Sequence, residues 1–264
     1  MLRERLASSL AGIAIILLVL KFGGVYGWAA LVAVAAAIGF VEFYRFSGQN
    51  ARPPVVFGCL WVVLVVLSPL ATPAPDQTGV AVLGGGMVAS LAWLMARRGK
   101  DDSLPTFLWM LAGILYVGWL ARYFVALRGI TQGGDWVAFA LFTTFSVDTS
   151  AFFIGRWWGR HKLAPLVSPN KTKEGAVAGL AGGMAASMAL TALLDLPLSA
   201  WQSLLLGFLV AVFAQFGDLA ESMLKRNAGV KDSGRFLPGH GGLLDRADSI
   251  LLSGIVVYYY VLLI

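Results

Sequence analysis

Nine stretches of this chain are apolar over about the length that crosses a bilayer, and that pattern limits its fold more than any motif does. A spanning helix needs ~20 mostly apolar residues, with ~17 tolerated. The runs are Leu6–Leu20, Val25–Phe40, Val55–Leu70, Thr78–Ala96, Thr106–Leu127, Trp136–Gly155, Gly175–Leu194, Ala200–Phe216 and Ser249–Ile264. Of 264 residues 58% are hydrophobic and 13% charged, against roughly 45–50% and 25% in soluble domains. A soluble protein of this size needs a polar exterior that such a composition cannot supply. The single Cys59 excludes a disulfide framework and a zinc site of the CxxC type. The expected fold is an all-α integral membrane protein with about nine transmembrane helices.

Charge placement orients those helices. With the N-terminus cytoplasmic and the C-terminus outside, the inner segments hold every Lys and Arg except Lys21, Arg122 and Arg128, which satisfies the positive-inside rule. Arg3 and Arg5 precede the first run, which reads as a signal anchor rather than a cleaved leader. The net charge of +6 falls in short blocks between apolar runs. It reads as topology signal and contact with anionic lipid, with no nucleic acid as partner. No internal repeat is visible, so residues 1–264 are expected to form one polytopic membrane domain. Residues 1–100 supply N-terminal helices, and 101–264 the helices and cytoplasmic loops that carry an active site.

Polar chemistry gathers in two expected cytoplasmic loops, Arg156–Glu174 and Gly217–Asp248. If the helix begun at Ala200 continues past Phe216, Asp218, Glu221, Ser222 and Lys225 share one face at i, i+3, i+4 and i+7. Asp245 and Asp248 are likewise one turn apart. Two acid-bearing helix ends repel unless something positive intervenes: Lys and Arg in an ion-pair network, or a divalent cation. The glycine-rich Pro238-Gly239-His240-Gly241-Gly242, near Lys225, Arg226, Lys231 and Arg235, suits close backbone approach to a polyphosphate. Asp148 lies inside the sixth run, where a carboxylate is costly; it pairs with Arg122, or it meets metal or substrate in a polar cavity. Lys171, Thr172 and Lys173 precede a helix start, the setting of an anion site or of a topogenic basic loop with Glu174 satisfying that start. His161 and His240 are the only histidines. His240 either contacts phosphate or donates a proton, or is a structural loop residue.

The pattern Ser222-x-Leu224-Lys225-Arg226-x4-Lys231-Asp232-x-Gly234-x2-Leu237-Pro238-x-His240-Gly241-Gly242-Leu243-x-Asp245-Arg246-x-Asp248 resembles the C-terminal signature of phosphatidate cytidylyltransferases, the CDP-diacylglycerol synthases. Asp148-Thr149-Ser150-Ala151 and Ser168-Pro169-Asn170-Lys171-Thr172-x-Glu174-Gly175 are similar to that family's upstream motifs. Two positions depart from that pattern: Ala247 replaces a larger apolar residue and Asn170 a common Lys. The resemblance implies that CTP and phosphatidic acid give CDP-diacylglycerol and pyrophosphate by metal-dependent nucleotidyl transfer in phospholipid biosynthesis. It further implies an inner (plasma) membrane location, with the active site facing the cytoplasm.

On that resemblance the metal ligands are Asp218 and Asp245, with Asp248 and Asp148 as further ligands or their supports. Lys225, Arg226, Lys231 and the turn Gly239, His240, Gly241, Gly242 bind phosphates. Ser222, Lys171 and Thr172 orient the lipid phosphate or the CTP tail. The cofactor is Mg2+, and a second cation and a homodimer are both compatible with it. The rival readings are a CTP-dependent polyprenol kinase and an ion-coupled transporter.

Overall fold

The computed structural model describes residues 2–48, 52–71, 75–96, 103–234 and 241–264. The expected basic block from Arg97 to Lys100 falls outside them, as do Arg235, Pro238, Gly239 and His240. Every expected apolar run coincides with a helical segment. Seven segments are long and apolar enough to cross a membrane, and the shorter Ala11–Phe22 and Pro54–Leu70 accompany them. The chain is a multi-pass, all-α membrane protein. It packs as two compact units, Met1–Gly129 with Val230–Asp245, and Ile130–Gly229 with Arg246–Ile264.

The first unit holds α1 (Leu2–Phe22), α2 (Gly24–Arg45), α3 (Arg52–Leu67), α4 (Pro75–Ala96), α5 (Ser103–Gly113) and α6 (Leu120–Gly129). Gly24, at φ +57°, turns the chain between α1 and α2 in a conformation that favours glycine. A π-helical turn, Ile114–Trp119, joins α5 to α6. At the centre are α2 aromatics: Phe40, Phe43 and Tyr44 are buried, and Phe43 packs its ring on Phe46, Trp109 and Tyr116. Trp28 on α2 donates from Nε1 to the Phe124 carbonyl at 2.9 Å. Arg122, fully buried on α6, pairs with Asp76 at 3.3 Å, and its guanidinium lies 4.2 Å from the Trp119 ring centroid.

The second unit is built on α7 (Gly133–Trp157), α8 (Lys173–Leu193), α9 (Ala200–Asn227) and the greater part of α10 (Leu244–Leu263). Helix α8 carries its glycines on the packed face: at Gly179 a side chain would press on Val147 and Ala151 of α7 and Gln215 of α9. Small residues let apolar helices approach closely where no hydrophobic effect drives them together. The expected loop Arg156–Glu174 contains an antiparallel hairpin, β1 (Lys162–Ala164) with β2 (Ser168–Thr172), pairing Lys162 with Thr172 and Ala164 with Ser168. Helix α9 starts with a capping box between Ser199 and Gln202. At 1.5 Å per residue its 28 residues extend about 42 Å, roughly 12 Å more than the hydrocarbon core. That excess lets the polar turns Asp218–Arg226 stand clear of the apolar layer.

Candidate active site

The continuation of α9 through Asn227 brings Asp218, Glu221, Ser222 and Lys225 onto one face, as the spacing requires. Asp218 accepts a hydrogen bond from Ser222 Oγ at 3.4 Å and pairs with Lys171 Nζ at 2.6 Å. Glu221, fully buried, pairs with Lys225 one turn on. At Gly217 a Cβ would run into the backbone oxygen of Asp248. This glycine lets α9 and α10 touch backbone to backbone, and the next residue of α9 is Asp218.

Asp248 is buried on α10, and the charges of Asp218, Glu221 and Asp148 all act on it. Asp148 Oδ2 accepts from Ser249 Oγ at 2.9 Å, while Asp218, Lys171 and Arg246 lie within its electrostatic reach. Among the described residues, the four carboxylates have Lys171, Lys225 and Arg246 as cationic neighbours. The donors are all oxygens, which suits a hard divalent ion. Among the described residues no three His, Cys, Asp or Glu side chains form a protein-only metal cage.

Other expected site residues have different placements. Thr172 is buried, and its hydroxyl accepts from the Gly175 N–H to cap α8. Glu174 instead turns back on the hairpin, accepting from the Arg160 and His161 N–H groups and lying 2.5 Å from His161 Nδ1. Arg226 is exposed and donates from Nε to the Val167 carbonyl.

Within the first unit, exposed Lys231 opens the loop that Asp245 helps to close. The Asp245 carboxylate accepts from the N–H of Ser233 (2.9 Å) and of Gly242 (2.8 Å). Gly241 has φ +83°, and Gly242 has no room for a side chain beside Ser233 and Glu42. The Gly242 N–H is therefore engaged by the protein's own acid.

Glu42 escapes the motif-based reading altogether. It is 2% exposed and accepts from Leu243 N–H (3.1 Å), Leu244 N–H (2.8 Å) and Ser233 Oγ (3.3 Å). Its signal in the sequence is that of a lone acid in the apolar α2, the same anomaly that made Asp148 conspicuous.

The profile of the cytidylyltransferase family matches residues 3–264. A phosphatidate cytidylyltransferase of Brucella abortus is 35% identical over 89% of this chain and 85% of its own. One from Staphylococcus haemolyticus is 30% identical over 95% of each chain, and one from Synechocystis is 30% identical over 99% of this chain and 97% of its own. The chain belongs to the cytidylyltransferase family.

Proposed function

We propose that this chain is a phosphatidate cytidylyltransferase, which transfers the cytidylyl group of CTP to phosphatidate and releases pyrophosphate. A lipid phosphate oxygen attacks the α-phosphorus of CTP, the bond to the bridging oxygen breaks, and pyrophosphate carries the electron pair away. The observation that carries this reading is the gathering of Asp148, Asp218, Asp248 and Lys225, on helices otherwise fit for lipid, with Lys171 of the hairpin. A phosphate monoester is already anionic near neutral pH, so the enzyme's task is to neutralise and align two polyanions rather than to create a nucleophile.

Asp218 and Asp248 would hold Mg2+ together with substrate phosphates, the usual arrangement for an ion bound through one or two carboxylates, with Asp148 in support. The ion supplies charge neutralisation at the phosphates. Lys225 and Arg226 receive the phosphate chain of CTP, Lys171 exchanges its contact with Asp218 for a substrate phosphate, and Ser222 orients the ligand. Asp245 anchors the turn at Gly241 and Gly242 beside the nucleotide phosphates. This face lies on the cytoplasmic side of the inner membrane, where CTP is found and the basic residues concentrate.

The test is a reaction of the purified protein with phosphatidate, Mg2+ and CTP labelled at the α-phosphorus. Label entering lipid with release of pyrophosphate supports the reading. Label from γ-labelled CTP entering a polyprenol, with none in phosphatidate, would replace it with a kinase.

A further inference from the structure

We infer that Glu42 is a positioning residue for nucleotide binding, acting through the turn that leads into α10. It rests on the reading above, in which the turn at Gly241 and Gly242 lies beside the phosphates of CTP.

The first N–H groups of a helix have no partner within it, and in α10 they face acids of the same unit. Leu243 and Leu244 donate to Glu42, and Gly242 donates to Asp245. Ser233 links the two acids: its Oγ–H donates to Glu42 and its oxygen accepts from the Asp245 N–H, while its own N–H donates to the Asp245 carboxylate. Two carboxylates and one hydroxyl thereby fasten both described ends of the segment, Lys231–Gly234 and Gly241–Asp245. Gly234 and Gly242 complete the fit, since a Cβ on either would strike Glu42.

A carboxylate is favoured here over an amide. Three donors converge on Glu42, and a glutamine amide would turn a fourth toward them. Negative charge also complements the helix N-terminus. A cap serving stability alone needs only a local Ser, Thr or Asp. Here the group comes from α2, some two hundred positions away, and is held in a buried, apolar setting where a charge is costly. That cost is explained if the register of the turn must be fixed.

The experiment compares wild type with E42Q and S233A, purified in detergent, by thermal unfolding and by KM for CTP and for phosphatidate. A purely structural loss lowers the active fraction, and with it the apparent kcat, but leaves both KM values alone. Positioning predicts that KM for CTP rises about tenfold or more in folded E42Q, the equivalent of one lost contact to a charged group. S233A shifts in the same direction, and KM for phosphatidate stays within about twofold. Folded variants with wild-type KM for CTP would overturn the inference, and should E42Q fail to fold, S233A alone decides by the same criterion. A wild type that transfers no cytidylyl group would refute the underlying reading instead.

Discussion

Lys171 Nζ lies 2.6 Å from Asp218 Oδ2, joining the end of the hairpin to the last turns of α9. Both side chains remain partly exposed, 25% and 33%, so the pair contributes only about 0–1 kcal/mol to stability. Its value is electrostatic: the lysine offsets one acid beside which Asp248 and Asp148 also lie.

D218N should therefore leave thermal unfolding nearly unchanged and lower turnover by about 100-fold or more, as expected for groups acting on transition-state charge. K171M should lose less turnover and show a raised KM. Label transfer and thermal unfolding on the same preparations check both, and turnover within threefold of wild type in D218N would remove Asp218 from the site.

Gly217 gives a second test, because its role is steric. A methyl group there meets the backbone oxygen of Asp248, and neither helix backbone can yield cheaply. G217A should cost about 1–3 kcal/mol as an overpacked contact and should reduce turnover by parting Asp218 from Asp248. Unfolding in denaturant reads the first effect and label transfer the second.

Helix positions and the acid-bearing face of α9 were legible because hydrophobic runs and the i, i+3, i+4 spacing are local properties. Asp148 was legible because a charge amid apolar residues is costly wherever it sits. Its partner was not: Arg122 is near in the span order, yet it meets Asp76, and Asp148 takes Ser249. Choosing between such pairings requires the packing of helices far apart in sequence. The glycine turn shows the same limit. Glycines signal close approach but do not say to what, and Gly242 approaches Glu42 and Ser233 of its own unit. Thr172 could be read as a ligand or a cap from its place before a helix, and only the hydrogen bond to Gly175 identifies the cap.

The Glu221–Lys225 pair predicts a stability asymmetry. Glu221 is fully buried and Lys225 is 14% exposed, so removing the lysine takes a paired positive charge from a buried carboxylate. K225M should destabilise by about 3–5 kcal/mol. E221Q added to K225M should recover part of that loss, because a neutral amide is cheaper to bury. Denaturant midpoints of the two variants and the double variant check this, and purely additive losses would contradict it.

Arg122 should matter for folding without touching the chemistry. It is held by Asp76 and by the rings of Trp119 and Tyr123, whereas the Asp76 side chain is 48% exposed. R122Q should be markedly destabilised, D76N less so because water can reach the acid's side of the pair. Both should keep wild-type kcat per folded molecule. Thermal unfolding alongside turnover normalised to folded protein separates the two effects.

Metal dependence is the remaining expectation and the acids can be ranked by it. EDTA should abolish label transfer, and excess Mg2+ should restore it. Asp248 is buried among Asp218, Glu221 and Asp148, so neutralising it removes charge from the centre of the cluster. D248N should raise the Mg2+ concentration needed for half-maximal turnover by about tenfold or more, the scale on which supporting groups alter metal affinity. D148N should show a similar but smaller shift, since its carboxylate already accepts from Ser249. D245N should leave the Mg2+ requirement close to wild type and raise KM for CTP, because that carboxylate ties the Gly242 N–H of the turn to the Ser233 N–H. A Mg2+ shift in D245N as large as that in D248N would place Asp245 among the metal ligands, as its family motif implies. Full turnover in EDTA would remove the cation from all of these roles.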